Sequence, residues 1–235
     1  MRREGVVPRT SMKVAAVALA GGLSVCACST TQMGAAAITG SSRITATSLT
    51  SQVANLNSAY AADKAKGVKP QRPVGQETQQ VLTWLILFRV YDKMAAQHGI
   101  SVTPEQEEAA QQTYAAEAKQ SNVSPVEYWS AGAALPPDLL PELYQAAAIQ
   151  EVLVTRLAGG KTPTTSAAQS AVDAQLNHQQ CLAAKGLGIT VNPQFGEYDY
   201  TGYSVVTAPS TLAANQAPSP SPSPSASPTR LTPPC

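Results

Sequence analysis

The sequence predicts a mainly α domain of five or six helices, with a small strand pair joining its two ends. Three observations predict it. Apolar residues recur at steps of three and four along several stretches of the chain, the spacing of one helix face. Those stretches tend to open on Ser or Thr and to close on Gly, the residues that cap helix starts and stops. Two short segments, 35–39 and 189–191, sit near the two ends and read as strands bounded by turn residues.

The elements follow in order. Ala35-Ala36-Ala37-Ile38-Thr39 is a short apolar strand, Gly40-Ser41-Ser42 a turn, and Ile44 the return. Thr45 or Thr47 caps a helix of about 16 residues whose face is Leu49, Val53, Leu56 and Tyr60. Lys66 to Gln76, with Gly67, Pro70, Pro73 and Gly75, is a loop. The stretch from about 76 to 98 is apolar almost all round, from Val81 through Trp84, Phe88 and Tyr91 to Met94. Such a helix belongs at the centre of a core. Gly99 ends it. Thr103-Pro104-Glu105-Gln106 and Ser124-Pro125-Val126-Glu127 each start a helix with a cap, Pro at the first position and an acid or amide three residues after the cap. Leu135-Pro136-Pro137 interrupts the second of these. A long helix then runs from Asp138 to about Ala158, closed by Gly159-Gly160. Ser166 caps a last helix through Lys185, with Gly186 as its C-cap and Cys181 on the accessible side, opposite Val172. Residues 189–191 form a strand that pairs with 35–39, and Asn192 to Asp199 is a compact aromatic turn.

The two ends read differently from the body. Residues 1–27 form an export leader, with Arg2, Arg3, Arg9 and Lys13 before a 12-residue apolar run, Val14 to Val25, that is too short to span a bilayer. Met12 is an alternative start. Val25-Cys26-Ala27-Cys28 resembles a lipoprotein processing site. Cys28 is the expected lipidated residue, because Ala27 suits the small subsite before the cleaved bond better than Val25 does before Cys26. The alternative is an ordinary cleaved signal. Residues 28–34 are then a lipidated linker and 35–210 the domain. The final stretch, 211–235, is a Pro/Ser-rich tail with seven Pro and five Ser in its last 20 residues, the composition of a disordered, locally extended spacer. Cys235 pairs with Cys181, pairs with another molecule, or stays a thiol; spacing does not choose.

Composition narrows the function. The 235-residue chain carries a formal charge of +1 with 16 basic and 15 acidic residues. The first 27 residues hold four of the basic residues and one acidic, leaving the rest slightly acidic with 12 basic and 14 acidic. That excludes the broad basic surface of a nucleic-acid binder. Only His98 and His178 are available for metal or proton-transfer chemistry, and no metal-ligand, phosphate-loop or nucleophile-base spacing appears. No catalytic residue, cofactor or metal is expected. The carboxylates Glu105, Glu107 and Glu108 lie in a helix's first turn, where they favour its dipole.

Three segments carry a family resemblance. Ala37-Ile38-Thr39-Gly40 to Ile44-Thr45, Gly99-Ile100-Ser101-Val102-Thr103-Pro104-Glu105, and Ile189-Thr190-Val191-Asn192-Pro193-Gln194-Phe195-Gly196 follow one another behind the lipoprotein-like leader. Together they resemble the N-terminal domain of SurA/PrsA-type foldases, in the form of short actinobacterial lipoproteins, over about residues 35–200. Thr39 stands where such domains often have Asn, and Gln194 where they have a basic residue. The resemblance implies a helical chaperone scaffold with an apolar groove for extended segments. The parvulin isomerase domain of many relatives is missing: about 30 residues separate Gly160 from Ile189, with His178 alone among them. A non-enzymatic, lipid-anchored, chaperone-like domain on the extracytoplasmic face of the cell membrane is therefore expected. Its partners are unfolded or extended exported polypeptides. The alternative is a structural lipoprotein that docks one envelope protein. Tyr128, Trp129, Tyr144 and Trp84 are the candidate peptide-binding residues.

Overall fold

Strand β1 (Ala35–Thr39) turns through Gly40 and Ser41 into β2 (Ser42–Thr45). The structure, a computed structural model, describes residues 34–208 apart from Val74 and Thr162. The leader, Cys28, Cys235 and the Pro/Ser tail lie outside the described residues. Six helices follow: α1 (Ala46–Ala65), α2 (Glu77–His98), α3 (Pro104–Gln120), α4 (Pro125–Ala133), α5 (Leu140–Leu157), preceded by a 3-10 turn at Pro137–Leu139, and α6 (Ser166–Leu187). Three short strands close the described residues, β3 (Thr190–Val191), β4 (Glu197–Asp199) and β5 (Ser204–Val206). The fold is mainly α, as the spacing predicts.

The helix starts are built from the predicted caps. Thr45 Oγ1 accepts the Ser48 N–H at 3.0 Å. Thr103 with Gln106, and Ser124 with Glu127, form complete capping boxes, each with Pro in the first turn. Reciprocal bonds of this kind satisfy backbone N–H groups that have no partner inside the helix.

Helix α2 is the centre of the core. Val81, Leu82, Ile86, Val90 and Met94 are each fully buried, and the helix touches α1, α5, α6, β1 and β5. A helix surrounded on so many sides needs apolar residues all round, which explains its composition. A second apolar cluster lies beyond Phe88, made of Leu135, Leu139, Leu140, Leu143 and Ala146.

The ends of the domain are joined by an antiparallel sheet in the order β2-β1-β3, with Ala37 opposite Val191 and Ile38 opposite Thr190. Asn192 extends this seam. Its N–H donates to Ala36 O at 2.9 Å, and its Nδ2 donates to Ala35 O at 3.1 Å.

Three expectations are corrected. Residues after Asn192 form a hairpin, with Glu197 opposite Val206 and Asp199 opposite Ser204, where the sequence predicts a turn segment alone. At Gly196 φ is +126°, and an added Cβ would sit 2.2 Å from Val206 O. Only glycine allows that approach. Helix α6 is capped by Thr165 rather than Ser166, and it continues through Gly186 to Gly188, its left-handed C-cap. Gly186 instead lies where α6 passes Lys93 and Gln97 of α2. Cys181 is 7% exposed rather than accessible. The buried surface of α6 begins at Val172 and Leu176 and widens toward its end to take in Cys181, Ala183 and Ala184.

Candidate functional site

The site forms around α4. Two polar ties hold this nine-residue helix against the end of α1. Ser130 Oγ donates to Asp63 Oδ2 at 2.8 Å, with both residues buried. Lys66 Nζ donates to Glu127 Oε1 at 2.5 Å, while Glu127 Oε2 accepts the Ser124 N–H at 2.8 Å. The Lys66 bond, helped by the side chain and backbone of Ser124, holds the Glu127 carboxyl down to about 2. The same bond raises Lys66. In addition, the Gln71 N–H donates to Ala131 O at 2.7 Å, so the loop after α1 is pinned to the end of α4.

These ties place Tyr128 and Trp129 among aromatics from three other helices. Trp129 meets Trp84 edge-on with ring centroids 6.5 Å apart, Tyr114 at 4.8 Å and Tyr128 at 5.4 Å. Trp84 stacks on Phe88 at 5.8 Å, and Tyr114 reaches Tyr144 at 6.2 Å. The contacts are mostly edge-to-face, the geometry favoured by ring quadrupoles. Trp84 Nε1 donates to Ala133 O at 2.9 Å, whereas Trp129 Nε1 is buried with no hydrogen-bond partner among the described residues. Burial raises the phenol of Tyr114, with a further push from Glu117. Burial also raises that of Tyr144.

Two hollows adjoin this cluster and share Ala133. One, of about 310 Å3, lies between Val68, Val123, Tyr128 and Trp129. The other, of about 680 Å3, lies between Pro73, Trp84, Leu87 and the β5 residues Val205 and Val206. The second has polar walls as well: Gln80 Oε1 is buried there without a partner among the described residues. The β5 edge on this side is already engaged, since the Val205 N–H donates to Thr83 Oγ1 at 2.8 Å. A third hollow, of about 300 Å3, lies apart from these between β2, α2 and α5, floored by Phe88, Leu139 and Ile149. The Arg89–Asp92 ion pair stands at its rim.

All four candidate aromatics are therefore in one connected cluster. Tyr128 and Trp129 line the smaller hollow and Trp84 the larger, each half-buried. Tyr144 joins through Tyr114 and lines neither of these two hollows. Phe88 is buried core. Tyr91 donates to Gln150 Oε1 at 2.9 Å, and burial pushes its phenol up to about 12. Two participants escape the sequence reading. Tyr114 links α3 to Trp129, and its only signal is its four-residue spacing from Ala110 and Ala118. The β5 wall lies beyond Asp199, where the sequence predicts no element. His98 is spent on Gln179 Oε1, 3.1 Å from its Nε2. Among the described residues no group of three or more His, Cys, Asp or Glu is arranged to hold a metal ion, and no helix is long and apolar enough to cross a membrane. Cys181 is disulfide-bonded.

No family model, curated protein or solved structure matches the chain.

Proposed function

We propose that this chain is a lipid-anchored, non-enzymatic, chaperone-like module that holds unfolded or extended exported polypeptides. One observation carries the reading: two hollows that meet at Ala133 on either side of the Trp84–Trp129 contact. Side chains on one face of an extended chain repeat every two residues, about 6.6 Å apart. The hollows share Ala133, with Trp84 in one and Trp129 in the other, so adjoining hollows are offered to nearby same-side residues of one client. Aromatic walls give contact area with few rotors to immobilise. The near-neutral charge left after the leader, 12 basic against 14 acidic residues, suits clients of varied sequence. The foldase-like motifs agree with this use, and the processing site before Cys28 supplies the anchor.

The test is suppression of aggregation by the full mature chain, using a denatured exported protein as client. Suppression is expected at near-stoichiometric amounts, with loss of most of it in Trp129→Ala and Tyr128→Ala chains that retain wild-type helicity. No suppression, together with no peptide binding up to high micromolar concentration, overturns the reading. Crosslinking in cells separates it from docking on one envelope protein: many weak clients support holding, and a single stoichiometric partner overturns it.

A further inference from the structure

We propose that the larger hollow binds a primary carboxamide, the side chain of a Gln or Asn in the held segment. The inference deepens the client-holding reading and rests on it, since the client supplies the carboxamide. The two hollows differ in chemistry. The smaller has Val68, Val123, Tyr128 and Trp129 among its walls. The larger takes Gln76, Gln79 and Gln80 at the start of α2, and Ser204 and Thr207 from the β5 side, beside Trp84. Its volume of about 680 Å3 accommodates a side chain.

Several polar groups of this hollow are already spent. The Thr83 hydroxyl donates to Gln79 O at 2.8 Å and accepts the Val205 N–H at 2.8 Å. Trp84 Nε1 donates to Ala133 O at 2.9 Å, and Tyr203 Oη donates to Asn177 O at 2.9 Å. Gln80 is the exception, because its Oε1 is buried with no hydrogen-bond partner among the described residues. An acceptor left in that state costs stability, and its place in a hollow's wall points to a donor supplied from outside. Gln80 is only half-buried, and the last torsion of a Gln side chain is broad and roughly two-fold. The oxygen can therefore turn toward a donor in the hollow without moving α2.

The walls then choose among client side chains. Leu or Val brings no donor and leaves Gln80 Oε1 unmatched. An ionised Asp or Glu brings acceptors alone. Lys or Arg brings donors together with a positive charge, but Arg72 is the charged residue of these walls and no carboxylate lines them. Glu77, next to Gln76, has both oxygens on the Gly75 N–H, at 3.0 and 2.9 Å. Ser or Thr offers one donor on a short stem. A neutral carboxamide offers two N–H donors and a carbonyl. Its N–H suits Gln80 Oε1, and its carbonyl suits the Arg72 guanidinium of the same hollow.

The test is titration of the full chain with labelled peptides of Ala and Gly. Each carries a Leu and, two residues on, Gln, Glu, Lys or Leu, a spacing that puts both on one side of an extended chain. The Gln peptide is expected to bind about tenfold tighter than the other three. In Gln80→Leu chains of wild-type helicity, that advantage is expected to vanish through weaker binding of the Gln peptide, with the Leu peptide bound no less tightly than before. Gln80→Met, unbranched like Gln, is the second variant and is expected to behave alike. Equal binding of all four peptides, a preference for the Glu or Lys peptide, or a Gln preference that survives both substitutions overturns the carboxamide site and leaves the holding reading standing. Binding of none of the peptides up to high micromolar concentration overturns both.

Discussion

Ser130 shows how much one hydroxyl can hold. It is fully buried and donates to the Asp63 carboxyl, itself only 2% exposed. Ser130→Ala leaves that oxygen without its partner, and an unmatched buried polar group costs about 1–3 kcal/mol. Urea unfolding is expected to show that loss with an unchanged slope. Trp129 presents the opposite balance. Its Nε1 is buried and unpartnered, so Trp129→Phe removes an orphan donor while giving up part of a ring. Stability is expected to change by less than about 1 kcal/mol, while peptide affinity, measured by titration, falls about tenfold if the indole anchors clients. Tyr128 and Trp129 are legible in the sequence as aromatics on a short, loop-flanked helix. The unpaired indole N–H is not, because satisfaction depends on neighbours from α2 and α3 that only the fold brings near.

At the scale of elements, caps and glycines carried most of the information. The Thr103 and Ser124 boxes formed as read, because they are local: the bonding groups lie three residues apart. The β4–β5 hairpin was illegible because strands of three residues hold too few alternations to show a period of two. Gly196 is its hinge. In Gly196→Ala the new Cβ collides with the backbone at Val206 O, which cannot swing aside as a side chain would. A destabilisation of about 3 kcal/mol or more is expected in thermal unfolding, with loss of the wall of the larger hollow. Helix α4 adds a pH dependence. Glu127 titrates near 2 in the folded chain, below the ordinary 4.5, chiefly through its bond from Lys66. Its contribution is therefore fully present above about pH 5.5 and is lost as pH falls from about 4.5 toward 2. Melting curves of wild type and Glu127→Gln are expected to differ at neutral pH and to converge in acid.

For the whole molecule, α2, apolar almost all round, announced its central place, and its core residues set the stability. Leu82, with no exposed surface, is expected to cost about 2–5 kcal/mol on conversion to Ala, measured by denaturant unfolding. Contacts across long stretches of sequence were harder to read. The 35–39 and 189–191 pairing was inferred from its position at the two ends, whereas the packing of α5 on α3 and the approach of α6 to α2 left no pattern in the residues. The terminal seam also sets an order of events. Chains are made N-terminal end first, so β1 is the earliest described element to emerge, and its partner Val191 comes more than 150 residues later. Ala35, Ala36 and Ala37, at most 2% exposed in the finished domain, stay without their β3 cover until Thr190 and Val191 have been made. The terminal seam is thus closed only when β3 arrives, and a chain halted before Thr190 is left open along the edge where it began.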